Sequence, residues 1–315
     1  MTVVVRIHQH GGPPVLRVEQ AEVGEPGRGQ VRLRQQAVGV NFFDTMVRRG
    51  EVGFPLPAVL GVEGAGVVEA VGPGVTGFAV GDRAGYFFDP GAYAGERLIA
   101  TASLIPLPDD ISTEQAAAFL AGGLTAWMGL RALHRLEPSQ TVLVQGASGG
   151  VGALLSRWAK ALGATVIGVA GSPSKVDRVP APALWSGDPD FAGKLRSIAP
   201  RGVDVAYDLV GQATFDQVTS AVRDGGRIVA IGAATGRPQG GTDLRRRGVE
   251  VLGGSTPQYV NASTVGAASA ELFGAVRAGV FADLDLVRYP LADAERVHRD
   301  IQARALTGLP VLTVG

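Results

Sequence analysis

A glycine-rich loop lies between an apolar strand and a helix near the middle of the sequence. The segment TVLVQG at 141–146 has the composition of a buried strand, and ALLSRWAKALG at 153–163 is typical of a helix. Small residues between them let the backbone approach a pyrophosphate, and the N–H groups at the helix start favour an anion. This context predicts a dinucleotide site, the alternative being a structural strand-to-helix turn. The predicted cofactor-binding residues of the loop are Ala147, Ser148, Gly149, Gly150, Val151 and Gly152.

The end of the next predicted strand indicates which dinucleotide binds. An NAD site usually carries a carboxylate there, which accepts hydrogen bonds from the ribose. The strand ATVIGVAG at 164–171 is instead followed by Ser172, Ser174 and Lys175, and Asp177 lies too far into the next turn for that role. Hydroxyls and an ammonium group suit a 2′-phosphate, which needs donors and positive charge. We therefore predict NADP(H), unless Lys175 is only a solvated residue at a helix start.

Strands and helices alternate from Glu137 onward, which is typical of a parallel α/β sheet. Residues 1–110 instead alternate short β-type runs with Gly/Pro turns, which predicts a small β-rich domain. Since the last strands no longer follow the βα rhythm, we assign the C-terminal part to the first domain. The predicted division is 1–121 with 265–315 for the β-rich domain, and 122–264 for the dinucleotide-binding domain.

A long helix is predicted between the two regions. Ser112 and Gln115 have capping-box spacing, and they precede the helical stretch AAAFLAGGLTAWMGLRALHRL. Gly122 and Gly123 form a predicted weak point of this helix, because glycine is a poor helix former.

The composition excludes several classes of site. The chain has 315 residues, 46% hydrophobic and 18% charged, which is enough for two buried cores. Lys plus Arg and Asp plus Glu both number 29, so no overall charge attracts a nucleic acid. The absence of cysteine excludes disulfides, zinc–thiolate sites and thiol nucleophiles. Because the N-terminus MTVVVRIHQHGG lacks a basic start followed by an apolar core, we predict a cytoplasmic protein that does not bind a membrane.

Recognisable motifs cover essentially the whole chain. In order they are GVNFFDTMVRRG at 39–50, PLPAVLGVEGAGVVEAVGPGV at 55–75, GDRAGY at 81–86, GAYAGERLIA at 91–100, AAAFLAGGLTAW at 116–127, ASGGVG at 147–152, YDLVG at 207–211 and YPLADAERVHRDIQARALTG at 289–308. Together they resemble the zinc-independent quinone oxidoreductases of the medium-chain dehydrogenase/reductase superfamily.

The resemblance implies a fold class and an assembly. The fold would be α/β, with a Rossmann doubly wound parallel sheet, a GroES-like β-rich catalytic domain and the active site in the cleft between them. The protein would be a homodimer in which the strand near VEVLGG, at 249–254, pairs with its twin. Covering an otherwise exposed sheet edge is an independent physical reason for that pairing.

The resemblance also implies two catalytic residues and no metal. Asn41 of GVNFFDT would face the nicotinamide and the substrate oxygen, and it could also cap the following helix. Thr125 would lie near the nicotinamide ribose, the alternative being simple helix packing. The zinc-using members of the superfamily place a cysteine at the position of Asn41 and a histidine at that of Val62, and neither is present here.

Further cofactor contacts are implied near the end of a strand and near the end of the chain. Gly232, Ala233 and Ala234 would line the nicotinamide amide through their backbone groups, the alternative being a turn after a buried strand. Arg304 would approach the cofactor, or it is an ordinary surface arginine.

Without a metal to polarise an alcohol, the expected chemistry is hydride transfer from NADPH to a small-molecule quinone or another conjugated carbonyl. Two alternatives stay open. An enoyl-thioester reductase would need a basic rim, which Arg245–Arg247 could supply. A non-catalytic nucleotide-binding protein would keep the cofactor site without turnover. Relatives often carry tyrosines after the Asn-x-x-Asp segment, whereas Met46 stands here, so a phenolic proton donor is not expected.

Overall fold

The computed structural model describes residues 1–180, 182–232, 234–236, 238–239 and 242–315. They form two compact units, one combining Met1–Ala121 with Leu284–Gly315 and the other comprising Gly122–Asp283. The strands are β1 (Thr2–Ile7), β2 (Arg17–Ala21), β3 (Gln30–Gly39), β4 (Ala58–Val59), β5 (Gly64–Val71), β6 (Arg83–Tyr86), β7 (Glu96–Ala100), β8 (Ile105–Pro106), β9 (Thr141–Gln145), β10 (Thr165–Ala170), β11 (Ala183–Trp185), β12 (Val203–Asp208), β13 (Val222–Ala230), β14 (Glu250–Gly253), β15 (Leu286–Pro290) and β16 (Leu309–Thr313). The α-helices are α1 (Phe42–Arg49), α2 (Thr113–Trp127), α3 (Gly150–Ala161), α4 (Phe191–Ile198), α5 (Phe215–Ala221), α6 (Thr242–Arg246), α7 (Thr256–Tyr259), α8 (Val265–Arg277) and α9 (Ala294–Gln302).

The unit that contains the N-terminus is built around β3. Its larger sheet has the order β15-β16-β3-β5-β6-β8, β7 also pairs with β3, and a smaller sheet has the order β2-β1-β4. Pairing is antiparallel except between β15 and β16. Along β3, Val31 and Leu33 are buried whereas Arg34 is exposed, because successive side chains of a strand point to opposite faces of the sheet. The predicted β-rich character of this region is confirmed.

The other unit contains a parallel sheet in the order β11-β10-β9-β12-β13-β14. This is the order of a doubly wound fold, in which the strand sequence reverses between β9 and β12. Leu143 of β9 and Ile167 of β10 are fully buried, in keeping with a sheet covered on both faces. The predicted α/β fold is confirmed, and ligands of such sheets bind beyond the carboxyl ends of the strands at the reversal.

The units differ from the predicted division at its second boundary, because residues 265–283 fall with the parallel sheet. A Cβ atom on Gly123 would lie 2.5 Å from the Leu272 side chain of α8. The Arg157 guanidinium of α3 binds both carboxylate oxygens of Asp283, at 2.6 and 2.7 Å. These long-range contacts hold the segment against α2 and α3, and local sequence patterns do not reveal them.

Helix α2 is capped and continuous. The Gln115 N–H donates to Ser112 Oγ at 3.1 Å and the Ser112 N–H donates to Gln115 Oε1 at 2.9 Å, so the predicted capping box is confirmed. The helix does not break at Gly122, whose missing side chain leaves space for Leu154. It continues as a π-helix through Leu133.

The described part of the chain contains one helix, Thr113–Leu133, that is long and apolar enough to cross a membrane by length and composition. Within the protein, 78% of its most apolar window is buried, and the core helix of a globular protein meets the same criteria.

Candidate functional site

The glycine-rich loop leaves the carboxyl end of β9, where the strand order reverses. Gly146 has a φ of 82°, in the left-handed region that favours glycine, and turns the chain out of the strand. Gly149 is the N-cap of α3, and both Gly149 and Gly150 are exposed. The predicted loop residues 147–152 therefore follow a buried strand and open a helix, as a dinucleotide site requires. Their contact with a cofactor stays a prediction.

Gly152 allows α3 to start directly against the turn that follows β9. A Cβ atom there would lie 2.2 Å from the carbonyl oxygen of Gly146 and 2.9 Å from Cα of Ala147. Ala147 is itself buried, and its N–H donates to the Val169 carbonyl of β10 at 3.0 Å. The loop is thus a backbone cradle that only glycine at position 152 permits, and the exposed N–H groups at the start of α3 fit a pyrophosphate.

The residues predicted to bind a 2′-phosphate lie in one turn after β10, the strand beside β9. Ser172 Oγ and Ser174 Oγ are 3.2 Å apart. The backbone N–H of Lys175 donates to the Ser172 carbonyl at 3.2 Å, within the 3₁₀ helix Pro173–Arg178. Two serine hydroxyls and a lysine residue therefore lie in one turn at the carboxyl end of β10.

The backbones that follow β12 and β13 approach each other closely. The Gly232 N–H donates to the Asp208 carbonyl at 2.9 Å, and a Cβ atom on Gly232 would lie 2.1 Å from the Leu209 carbonyl carbon. Glycine is therefore required at 232. Ala234 is exposed in the turn that follows, and Ala233 lies outside the described residues.

Asn41 is the N-cap of α1 and is held at two points. Its backbone N–H donates to Asp44 Oδ2 at 2.8 Å, so Asp44 stabilises the start of the helix. Its side-chain Nδ2 donates to Glu63 Oε2 at 2.9 Å. The side chain is half-buried, and the structure thus supports both the capping position and a fixed orientation for its amide.

Glu63 is a site residue that sequence reasoning missed. Its Oε1 accepts the backbone N–H of Ala121 at 2.5 Å, and the residue is 2% exposed. Burial raises the pKa of the Glu63 carboxyl to about 8, although the donors Ala121 and Asn41 oppose that rise. Gly39 makes room for it, because a Cβ atom there would lie 2.1 Å from the Ala117 carbonyl oxygen and 2.5 Å from Glu63 Oε2.

A chain of buried hydrogen bonds ends at the Asp44 carboxyl group. The Tyr93 hydroxyl donates to Asp44 Oδ2 at 3.1 Å and lies 2.9 Å from His298 Nε2, and Arg48 Nη1 lies 3.3 Å from His298 Nδ1. Burial lowers the pKa of His298 to about 3, so its ring is neutral and Nε2–H donates to Tyr93 while Nδ1 accepts from Arg48. Burial raises the pKa of Asp44 to about 7. Each donor in the chain points from Arg48 towards Asp44, which fixes the start of α1.

Thr125 pairs with a hydroxyl that the sequence did not connect to it. Its Oγ1 lies 2.8 Å from Thr256 Oγ1 at the start of α7, and both residues are buried. This contact is compatible with packing and with a role near the cofactor, so the predicted role of Thr125 stays a prediction.

Arg304 follows α9 with a φ of 54°, a left-handed conformation that an L residue adopts at a cost. Its side chain is exposed, and the Ala305 N–H donates to the Asp300 carbonyl at 2.8 Å, which closes the helix end. Glycine is the usual residue at such a position, so a long cationic side chain there is unusual.

Aromatic rings lie next to Asn41 in the chain and in the neighbouring loop. Phe42 is 41% exposed. The rings of Phe43 and Phe88 meet edge to face at 5.8 Å, and Phe87 meets Phe88 at 5.9 Å. Such a surface offers apolar contact to a planar ring.

Comparison with known proteins identifies the family. Residues 27–109 match the family model of the alcohol dehydrogenase GroES-like domain, and residues 150–268 match that of the zinc-binding dehydrogenases. A quinone oxidoreductase of Pseudomonas aeruginosa is 38% identical over 325 residues and covers 98% of both chains. The chain belongs to the zinc-independent quinone oxidoreductase family. This family lies within the medium-chain dehydrogenase/reductase superfamily.

Two further matches bear on chemistry within this family. A 2-haloacrylate reductase of a Burkholderia species is 37% identical over 99% of both chains. The crystal structure of Escherichia coli quinone oxidoreductase complexed with NADPH has a TM-score of 0.93 and 34% identity, covering 99% of this chain and 100% of that one. Although one matched model is named for zinc, the described residues contain no group of three or more His, Cys, Asp or Glu side chains that could hold a metal ion.

Proposed function

We propose that the protein is an NADPH-dependent oxidoreductase that reduces a quinone or another conjugated carbonyl without a metal. The observation that carries this proposal is the backbone cradle at Gly152, which opens α3 at the strand reversal of a doubly wound sheet. The relatives named above act on quinones or on a haloacrylate, and both substrates are conjugated carbonyl compounds. NADPH, when bound, supplies the hydride, and a proton from solvent or a nearby donor completes reduction of the acceptor.

The residues of the chain would bind NADPH and orient the acceptor against it. The loop residues 147–152 hold the pyrophosphate through backbone N–H groups. Ser172, Ser174 and Lys175 provide hydroxyls and positive charge for the 2′-phosphate, which supports NADPH over NADH. Asn41 orients the acceptor oxygen. Holding NADPH and the acceptor in the correct orientation is the main catalytic contribution required, because conjugation already activates the acceptor for hydride addition.

The remaining predicted contacts belong to the same proposal. Gly232 and Ala234 would offer backbone groups to the nicotinamide amide, and Thr125 would lie near its ribose. Arg304 would contribute a charge to the cofactor. The close backbone approach at Gly232 is the observation that supports the first of these roles.

The acceptor class is tested by following NADPH oxidation with an ortho-quinone, a para-quinone, a 2-haloacrylate and a short enoyl thioester in parallel. We expect turnover with the quinones, and the haloacrylate tests how far the conjugated-carbonyl class extends. Turnover with the thioester alone would move the protein to the enoyl-thioester reductases. NADPH binding without turnover of any acceptor would support a nucleotide-binding role instead.

We also propose that the protein is a homodimer, joined through β14. This strand is at the edge of the parallel sheet and pairs with β13 on one side. Val251 in its centre is 49% exposed, so an apolar side chain and a row of backbone groups face outward. Pairing with a second copy would bury both. The cytoplasmic location stays a prediction from the sequence.

A further inference from the structure

Glu63 contacts Asn41 at the side-chain amide, which is the group that the proposed function directs to the acceptor. Both Glu63 oxygens are occupied by N–H donors: Oε2 by Asn41 Nδ2 at 2.9 Å and Oε1 by the Ala121 N–H at 2.5 Å. The Ala121 N–H belongs to the backbone of α2 and cannot turn. Since Glu63 is buried, water does not compete for these contacts.

We propose that Glu63 is a positioning residue that fixes the orientation of the Asn41 side-chain amide and so determines which amide atom a bound acceptor meets. This proposal depends on the proposed function only for the identity of the acceptor, a quinone or another conjugated carbonyl. While Glu63 is ionised, a turned amide would place Asn41 Oδ1 against Glu63 Oε2, and two acceptors would replace a hydrogen bond. The buried contact therefore selects one of two amide orientations.

The geometry around Glu63 indicates that it is built for this contact. Gly39 is required at its position, because a Cβ atom would lie 2.5 Å from Glu63 Oε2 and 2.1 Å from the Ala117 carbonyl oxygen. Asn41 is independently fixed at its backbone by Asp44. The Asn41 side chain also faces the Asp44 N–H in the capping box at the start of α1. An amide oxygen directed there places Nδ2 towards Glu63, so the capping box and the Glu63 contact favour the same amide orientation.

The substitution Glu63→Gln reverses the preferred orientation of the Asn41 amide with almost no change in side-chain shape. Glutamine has one acceptor oxygen where glutamate has two. Because the Ala121 N–H cannot turn, it keeps the oxygen of the new side chain, and the new NH₂ group faces Asn41. Asn41 must then present Oδ1 to that NH₂ group, so its amide turns over. Glu63→Gln is therefore a test of orientation rather than of packing.

The first measurement observes the amide itself. The side-chain ¹⁵N–¹H₂ signals of Asn41 are identified by their loss in Asn41→Ala. They are compared between wild type and Glu63→Gln without any ligand and above pH 8, where the wild-type Glu63 is ionised. We expect both proton shifts to change, because the hydrogen bond to a carboxylate is lost. The control is Ser269→Ala, which removes a buried hydroxyl of α8 that donates to the Val265 carbonyl and leaves the Asn41 signals in place. Unchanged Asn41 signals in a folded Glu63→Gln protein would overturn the proposal, whatever the substrate is.

The second measurement is a double-mutant cycle on kcat, with a quinone as acceptor and NADPH saturating. Above pH 8, where the wild-type Glu63 is ionised, Glu63→Gln is expected to lower kcat by about 10- to 100-fold, because the acceptor then meets the other atom of the Asn41 amide, with a smaller effect on KM for NADPH. In the Asn41→Ala background the same substitution should change kcat by less than about twofold. Equal effects in both backgrounds would show that Glu63 acts independently of Asn41. A wild type that turns over no quinone would instead contradict the proposed function, and the NMR comparison would still decide the orientation.

A pH profile provides a third readout. Burial raises the pKa of Glu63 to about 8, and the charge of Glu63 interacts with Asp44 on α1 and with Tyr86 on β6, which also interacts with Arg97 and Asp89. A protonated Glu63 would donate to Asn41 Oδ1 and turn the amide. The Asn41 signals of the wild type should therefore titrate near pH 8, and those of Glu63→Gln should not. Identical titrations would contradict the link between the two side chains.

Discussion

Replacing Gly152 with alanine tests the backbone cradle on which cofactor binding depends. The added Cβ atom would lie 2.2 Å from the Gly146 carbonyl oxygen, 2.8 Å from its carbon and 2.9 Å from Ala147 Cα. All three are backbone atoms, so only a shift of the loop away from α3 relieves the contact. Such overpacking costs about 1–3 kcal/mol, which lowers Tm by about 2–12 °C in a domain of this size.

The same shift should also weaken NADPH binding. Losing one charge-assisted hydrogen bond to the pyrophosphate costs about 1.5–3 kcal/mol, or roughly 10- to 150-fold in Kd. Thermal unfolding reports the first effect, and titration of NADPH fluorescence reports the second.

Gly149→Ala is the matched control within the same loop. A Cβ atom at 149 would lie 3.4 Å from the Gly146 carbonyl oxygen, an ordinary van der Waals contact, and the φ of −87° at Gly149 suits any residue. We expect its free energy of unfolding to stay within about 0.5 kcal/mol of wild type. Equal Tm and Kd values for Gly152→Ala and wild type would refute the reasoning, and an equal loss of stability in both variants would show that the cradle is not specific to position 152.

Four other predictions address the remaining assignments. Lys175→Ala should reduce the preference for NADPH over NADH in kcat/KM by about tenfold, through loss of one charge-assisted contact, and leave NADH turnover unchanged; an unchanged ratio would remove Lys175 from the 2′-phosphate site. Arg304→Gly should raise Tm, because a φ of 54° costs an L residue about 1 kcal/mol, and should weaken NADPH binding; a raised Tm with unchanged Kd would make Arg304 a surface arginine. Val251→Lys should convert the dimer to a monomer in sedimentation, and a dimer that persists would exclude the β14 edge. Burial raises the pKa of Asp44 from 3.8 to about 7 and that of Glu63 from 4.5 to about 8, so the folded state holds protons that the unfolded chain releases. The free energy of unfolding should therefore fall as pH rises from 4.5 to about 8 and then level off, and denaturant titrations that show a rise over this range would contradict the assigned burial.

The parallel sheet and the β-rich region could be predicted because their signals are local. The βα alternation after Glu137, the glycine-rich loop and the Ser112–Gln115 capping box each lie within a short segment. The division near residue 265 was less predictable, because α8 has the same amphipathic pattern whichever unit it packs on. Its contact with Gly123 is far away in sequence.

The support of Asn41 was missed for the same reason, although two signals were present. Glu63 is a single acid within the apolar and glycine-rich run VLGVEGAG, a position where a carboxyl is expected to be buried. His298 lies beside Val297 on the face of α9 that also carries Ala294, a spacing that predicts burial. The partners of these residues, Asn41 and Tyr93, could not be identified from spacing, since they are brought together only by the fold.

The most direct test of the central claim is NADPH consumption with one quinone, by protein that has been treated with chelator and shown by elemental analysis to hold no transition metal. We expect NADPH and quinone to be consumed in equal amounts, at a rate that chelator does not change and with NADH as the poorer donor. Activity that disappears with the metal and returns with zinc would contradict the proposed metal-free reduction.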